Sequence, residues 1–163
     1  MSQAKGMLIV WSLVLVILGM SWGLIYAVFI EHPRLNQMGA AITAAYVEGA
    51  KDSLETGKAS LSSFAHLRHS YVREVDVHSH WTALGFIGLL IGIVFHQVHF
   101  SEETKLKLAW VYLLGSFLFP LGVILQTAHQ GVLTQGLAAL GAVITTIALA
   151  LLAVGFLRKE KAA

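Results

Sequence analysis

The chain has 163 residues, of which 56% are hydrophobic and 12% are charged, against roughly a quarter charged in a typical soluble domain. This composition excludes an ordinary soluble domain. The formal charge of +2, carried by scattered lysines and arginines, excludes the clustered basic surface of a nucleic-acid-binding protein. Cysteine is absent, which excludes disulfides, thiolate metal sites, thioether-linked haem and iron–sulfur clusters on this chain.

Four stretches are long and apolar enough to cross a membrane, which takes about 20 residues of helix. None of them contains Asp, Glu, Lys or Arg. Backbone polar groups in lipid must be satisfied within the segment, so each stretch is predicted to be helical. The predicted spans are residues 7–30, 81–100, 108–128 and 132–157. The sequence therefore predicts a single all-α domain over residues 1–163, an integral membrane four-helix bundle.

The orientation of the bundle follows from the cations near the span ends. The first apolar stretch exceeds the roughly 7–15 residues of a signal-peptide core, and it is predicted to be a retained anchor. Six cations then fall on one side of the membrane: Lys5, Lys105, Lys107, Arg158, Lys159 and Lys161. The short link at 128–131 has none. We therefore predict a multi-pass protein of the cell (inner) membrane, with both termini cytoplasmic and residues 31–77 outside.

The outer loop between spans one and two, residues 31–77, has a helical pattern. Residues 36–55 and 60–73 space their apolar side chains at roughly helical intervals, and Thr56-Gly57 is the predicted stop between them. Two short helices lying on the outer surface are therefore expected. On the cytoplasmic side, Ser101 followed by Glu102 and Glu103 predicts a capped helix start before the third span.

Six of the eight histidines fall near the predicted outer face: His32, His66, His69, His78, His80 and His129. The other two, His96 and His99, lie at the cytoplasmic end of the second span. Ionisable groups in spans are costly and usually face the bundle interior, so imidazoles gathered at one face are a candidate site. For each single histidine, a simple position at the headgroup boundary is the alternative.

Helical phase separates the two histidines that open the second span. Steps of three and four from His78 reach small and polar residues, including Gly85, whereas those from His80 reach the aliphatic residues that lipid favours. His78 is therefore preferred as the inward ligand, with His80 as second choice. His129 is followed by Gly136 at the same spacing as His78 by Gly85. A glycine below an imidazole leaves a gap for a flat ring, although both glycines would also permit close helix packing.

Two inward histidines at matching depth predict a six-coordinate haem b, with His78 and His129 as axial ligands. Arg68 and Arg73 lie just before the second span. They are candidate partners for the haem propionates, because a guanidinium pairs with a carboxylate in fork geometry. Ordinary surface charge balanced by neighbouring acidic residues is the alternative for both arginines.

Four spans, a long outer loop before the second, and histidines at the outer ends of the second and fourth resemble one half of a haem A synthase. Each half in that family binds a haem between two such histidines, so the resemblance implies a bis-histidine haem at His78 and His129. The predicted function is a membrane b-type cytochrome that transfers electrons, a candidate oxidoreductase. Its expected partners are a periplasmic electron-transfer protein or a quinone, to which Tyr71, Gln126 and Gln130 could donate hydrogen bonds.

The same residues leave two other functions open. His66, His69, His78, His80 and His129 provide five imidazoles near one surface, enough for a non-haem copper, iron or zinc site or for a metal-dependent oxygenase. The Ala and Gly content of residues 136–155 would suit a non-catalytic subunit that packs in a larger membrane complex, or a homo-oligomer.

Overall fold

The computed structural model of the chain is all-helical, as predicted, and it describes residues 2–51 and 53–158. The elements are α1 (Gln3–Ile25), a π-helical turn (Tyr26–Ile30), α2 (Glu31–Ala50), α3 (Leu54–Val94), a 3₁₀ turn (Phe95–Gln97), α4 (Glu102–Ala128) and α5 (Val132–Leu157). Within those ranges, four continuous helical rods are long and apolar enough to cross a membrane. The predicted cytoplasmic cations Lys159 and Lys161 lie outside the described residues.

The segment between the first two spans is an antiparallel hairpin of long helices. The first rod runs without interruption from Gln3 to Ala50, and α3 begins at Leu54. The expected pair of short surface helices, separated at Thr56-Gly57, is therefore wrong. The chain turns earlier, where the N–H groups of Lys51 and Ser53 both donate to the Glu48 carbonyl. Gly57 instead lies buried inside α3, where its missing side chain lets α2 approach.

The first rod contains Pro33 and still does not end there. A proline lacks the N–H that would bond the carbonyl four residues earlier, and its ring crowds that carbonyl. The π-helical turn lies just before it, and the Glu31 N–H reaches back five residues to the Tyr26 carbonyl. In this wider turn the backbone hydrogen bonds join residues five apart instead of four, and the turn ends three residues before Pro33. Turns of this kind are frequent at functional sites.

Glycines set the closest helix contacts in two helix pairs. Between α1 and α3 they are Gly19, Gly85, Gly88 and Gly92, and between α4 and α5 they are Gly115, Gly122 and Gly141. At most of these positions an added Cβ would collide with backbone atoms of the facing helix. Helix α4 joins the pairs, because it packs against α1 and α3 as well as against α5.

Contacts between α3 and α4 fix the relative height of their residues. The rings of His80 and Phe119 are 4.6 Å apart, and further along Gln130 Nε2 lies 3.0 Å from His69 Nδ1. The α4–α5 turn is therefore level with His69, which is nine residues, or about 13 Å of helix, from His78. We call this end of the bundle the hairpin end, because α2 and the first part of α3 lie there.

Candidate functional site

His78 lies in the contact between α1 and α3. Its Nδ1 is 2.8 Å from the Gly19 carbonyl oxygen, and its ring occupies the space where Gly23 lacks a side chain. A carbonyl oxygen only accepts hydrogen bonds, so Nδ1 carries a proton and donates it. In the neutral imidazole, Nε2 is then left with a lone pair, and it has no hydrogen-bond partner among the described residues.

A cavity of about 350 Å³ opens beside His78 between α1 and α3. We call it the His78 groove, and the residues lining it include Met20, Leu24, Tyr26, Glu31, Tyr71 and His78. Met20 and Leu24 are exposed, so the groove opens sideways on the bundle. If the bundle is in a bilayer, this opening faces lipid.

Tyr26 brings an unpaired polar group to the groove. It is the first residue of the π-helical turn, only 5% exposed, and its ring meets that of Tyr71 edge-on with centroids 6.2 Å apart. Its buried hydroxyl has no hydrogen-bond partner among the described residues. A buried hydroxyl without a partner is unfavourable.

An ion pair with a buried carboxylate lies next to the groove and joins α2 to α3. Arg34 of α2 contacts both carboxylate oxygens of Glu74, with Nη2 at 2.7 Å and Nε at 3.4 Å. The Glu74 side chain is 7% exposed, and its backbone carbonyl accepts a hydrogen bond from Trp22 Nε1. The hydrogen bond with the carboxylate raises the pKa of the Arg34 guanidinium above its ordinary value. The pair ties α2 to α3.

Sequence analysis did not single out Arg34 and did not predict that it pairs with Glu74. A signal was present, because in an antiparallel hairpin two residues at equal distances from the turn lie opposite each other. Arg34 lies 17 residues before Lys51 and Glu74 lies 21 residues after Ser53, a difference of about one helical turn. A hairpin of two helices over residues 31–77 therefore brings the two residues to neighbouring turns, and the long arginine side chain spans the remaining distance.

Glu74→Ala should lower the free energy of unfolding by about 1–3 kcal/mol, because it leaves the part-buried guanidinium of Arg34 without its carboxylate. The measurement is unfolding by heat or denaturant in detergent, followed by circular dichroism. Glu55→Ala is the matched control, since Glu55 is 88% exposed and pairs only with a neighbouring lysine. Equal losses in the two variants would contradict this role for the buried pair.

The structure does not bring His78 and His129 together. His78 contacts α1, whereas His129 is exposed and caps the end of α4. His129 adjoins Gln130 and is therefore level with His69, about 13 Å along the helix from His78. His80 packs on Phe119 of α4, on a different side of α3 from His78.

The two glycines expected below the ligands also lie apart. Gly85 is covered by α1, where an added Cβ would lie 2.8 Å from the Ser12 carbonyl oxygen and 2.6 Å from a Val16 methyl carbon. Gly136 is on an exposed face of α5 and has nothing within 4 Å of an added Cβ. Gly85 thus serves close packing, which was the alternative interpretation. Neither glycine borders a gap beneath an imidazole.

The remaining candidates divide between other places. Arg68, His69 and Arg73 line a second cavity, which shares no residue with the His78 groove, and His66 is exposed. Across the described ranges, no group of three or more His, Asp or Glu side chains is arranged to hold a metal ion. Tyr71 lines the His78 groove.

The two predicted glutamine contacts for a quinone lie away from this groove. Gln126 is buried and donates to the Gly122 carbonyl at 3.2 Å, while Gln130 contacts His69. Comparison of the chain with protein-family models, with curated proteins and with solved structures finds no match.

Proposed function

We propose that this chain is a membrane electron-transfer protein of the b-cytochrome kind, with His78 as a ligand of the haem iron. The observation that carries the proposal is the orientation of His78. Its Nδ1–H donates to the Gly19 carbonyl, and its Nε2 lone pair is unused beside an open groove. Metal-ligating histidines generally donate their second ring N–H to a carbonyl or carboxylate, which fixes the tautomer.

The fit to haem differs from the bis-histidine expectation. One iron cannot be shared by His78 and His129 in this arrangement, because about 13 Å of helix separates their levels. Met20 lines the same groove as His78 and is 58% exposed. A thioether paired with an imidazole is an established haem ligand set. We therefore propose that Met20, together with His78, would hold the haem iron.

A bound haem would supply one-electron chemistry, and the protein would tune it through burial and hydrogen bonds. The groove opens on the side of the bundle that lipid would cover, so a membrane quinone is the proposed electron partner. A soluble protein on the hairpin side is the other proposed partner. We propose that the hairpin lies on the outer side of the cell (inner) membrane. The reason is that Lys5, Lys105 and Lys107 lie at the opposite end of the bundle, and cations near span ends favour the cytoplasmic side.

The test is the optical spectrum of the purified chain in detergent, with iron, copper and zinc assayed on the same sample. We expect a Soret band, sharp α and β bands on reduction, and one haem per chain. A colourless protein that carries stoichiometric iron, copper or zinc would support the non-haem metal alternative. A colourless protein without metal would overturn both.

One observation favours a second candidate function, that of a non-catalytic subunit. Helix α2 buries none of its residues, although it carries Leu35, Ile42 and Tyr46. Apolar side chains exposed beyond a predicted span are typical of a surface that a partner covers. Copurification of a stoichiometric membrane partner from native membranes, without any cofactor on this chain, would favour this function.

A further inference from the structure

We propose that the second cavity of α3 binds the phosphate group of an anionic lipid. The cavity measures about 340 Å³, and its lining includes Arg68, His69 and Arg73 beside the apolar Phe64 and Val72. We call it the basic cleft. It is independent of the His78 groove, with which it shares no residue, and it does not depend on whether the chain holds haem.

The height of the basic cleft matches the headgroup level. Helices α4 and α5 have 27 and 26 residues, so each is about 40 Å long. A bilayer with its headgroups is about 40–45 Å thick, so the turn between these helices would lie among the headgroups. Gln130 of that turn contacts His69, and Arg73 lies one helical turn closer to the bilayer centre.

The donors in the basic cleft are largely unused. Arg68 forms no ion pair within the described part of the chain. Arg73 has one acidic partner, Asp76, at 3.7 Å, while its buried Nε lacks a hydrogen-bond acceptor. Gln130 Nε2 can only donate, so His69 accepts at Nδ1 and, when neutral, carries its proton on Nε2. The Arg68 guanidinium, the part of the Arg73 guanidinium that does not face Asp76, and an N–H donor of His69 are thus available.

A phosphodiester of an anionic lipid matches this combination of groups. Guanidinium groups bind phosphate oxygens through paired hydrogen bonds. The apolar Phe64 and Val72 provide a contact for the uncharged part of an amphiphile, which free phosphate does not need. The cleft therefore fits a lipid such as phosphatidylglycerol better than an inorganic anion.

The experiment measures lipid binding by native mass spectrometry after extraction from vesicles of phosphatidylcholine with about a quarter phosphatidylglycerol. The full chain should retain phosphatidylglycerol preferentially. Arg68→Gln with Arg73→Gln should lower that preference about twenty-five-fold, since each cation near an anionic surface contributes a factor of about five. Arg68→Gln alone, at an exposed position, should give about a fivefold loss without any effect on folding.

The control is Lys51→Gln with Lys58→Gln, which removes the same charge at the hairpin tip, where both lysines form exposed ion pairs. This variant should retain the wild-type preference. Equal loss in both double variants would show a general charge effect and overturn the proposal. Displacement of the lipid by millimolar inorganic phosphate would also overturn it, because the site would then bind free phosphate.

Discussion

His78→Ala is expected to remove the proposed haem from the purified chain, whereas His129→Ala should retain the complete haem absorption spectrum. The reason is that His78 lines the groove with Nδ1 already bonded to the Gly19 carbonyl, whereas His129 is exposed at the end of α4. We expect haem occupancy to fall at least about tenfold in His78→Ala. Removing a group that only hydrogen-bonds to a metal ligand already lowers metal affinity by about that factor. The measurement is the ratio of Soret absorbance to protein absorbance.

His78 also holds α1 and α3 together through Gly19, so loss of haem could follow from loss of folding. His78→Asn separates the two effects, because an amide N–H can still donate to the carbonyl while the amide is a poor iron ligand. It should fold like the wild type and lack haem. A full low-spin spectrum in this variant would reject His78 as the ligand.

Met20 is tested by the matched pair Met20→Leu and His129→Ala. Leucine has a similar volume to methionine but no sulfur, so it should preserve the groove and remove the thioether that would hold the iron. We expect the spectrum to change from low spin to high spin. A loss of low-spin character in His129→Ala instead would restore the bis-histidine assignment.

Local rules predicted the helical rods well. Ser101 accepts a hydrogen bond from the Thr104 N–H, as expected of a cap followed by two acidic residues. Helix α5 has the bounds expected from its apolar run. These features depend only on composition and on interactions within a few residues, which a sequence displays directly.

The hairpin and the site depended on contacts between distant residues. Helix phase alone placed His78 on the small-residue face, but did not indicate that α1 would cover this face. The level of His129 follows from contacts such as that of Gln130 with His69, which joins residues 61 positions apart. An antiparallel register is needed before helical faces can be assigned to partners, and that register came from tertiary packing.

Gly85→Leu should destabilise the chain strongly, whereas Gly136→Leu should leave its stability unchanged or slightly raised. A side chain at position 85 would collide with the Ser12 carbonyl oxygen and the Val16 backbone, so α1 and α3 would have to separate. Overpacking typically costs about 1–3 kcal/mol and more where backbone must shift. At position 136 nothing lies within 4 Å, and leucine has a higher helix propensity than glycine.

This pair of variants also decides what the two glycines do, because a slot for a flat ring and a tight helix contact respond differently. If both glycines bordered a haem, both substitutions would expel it and leave the apoprotein folded. If Gly85 permits close approach of α1, only Gly85→Leu should lower the unfolding temperature in detergent, and haem content should follow folding. A different result would contradict this role for Gly85: a wild-type unfolding temperature in Gly85→Leu together with haem loss in Gly136→Leu. The haem would then have to lie between α3 and α5.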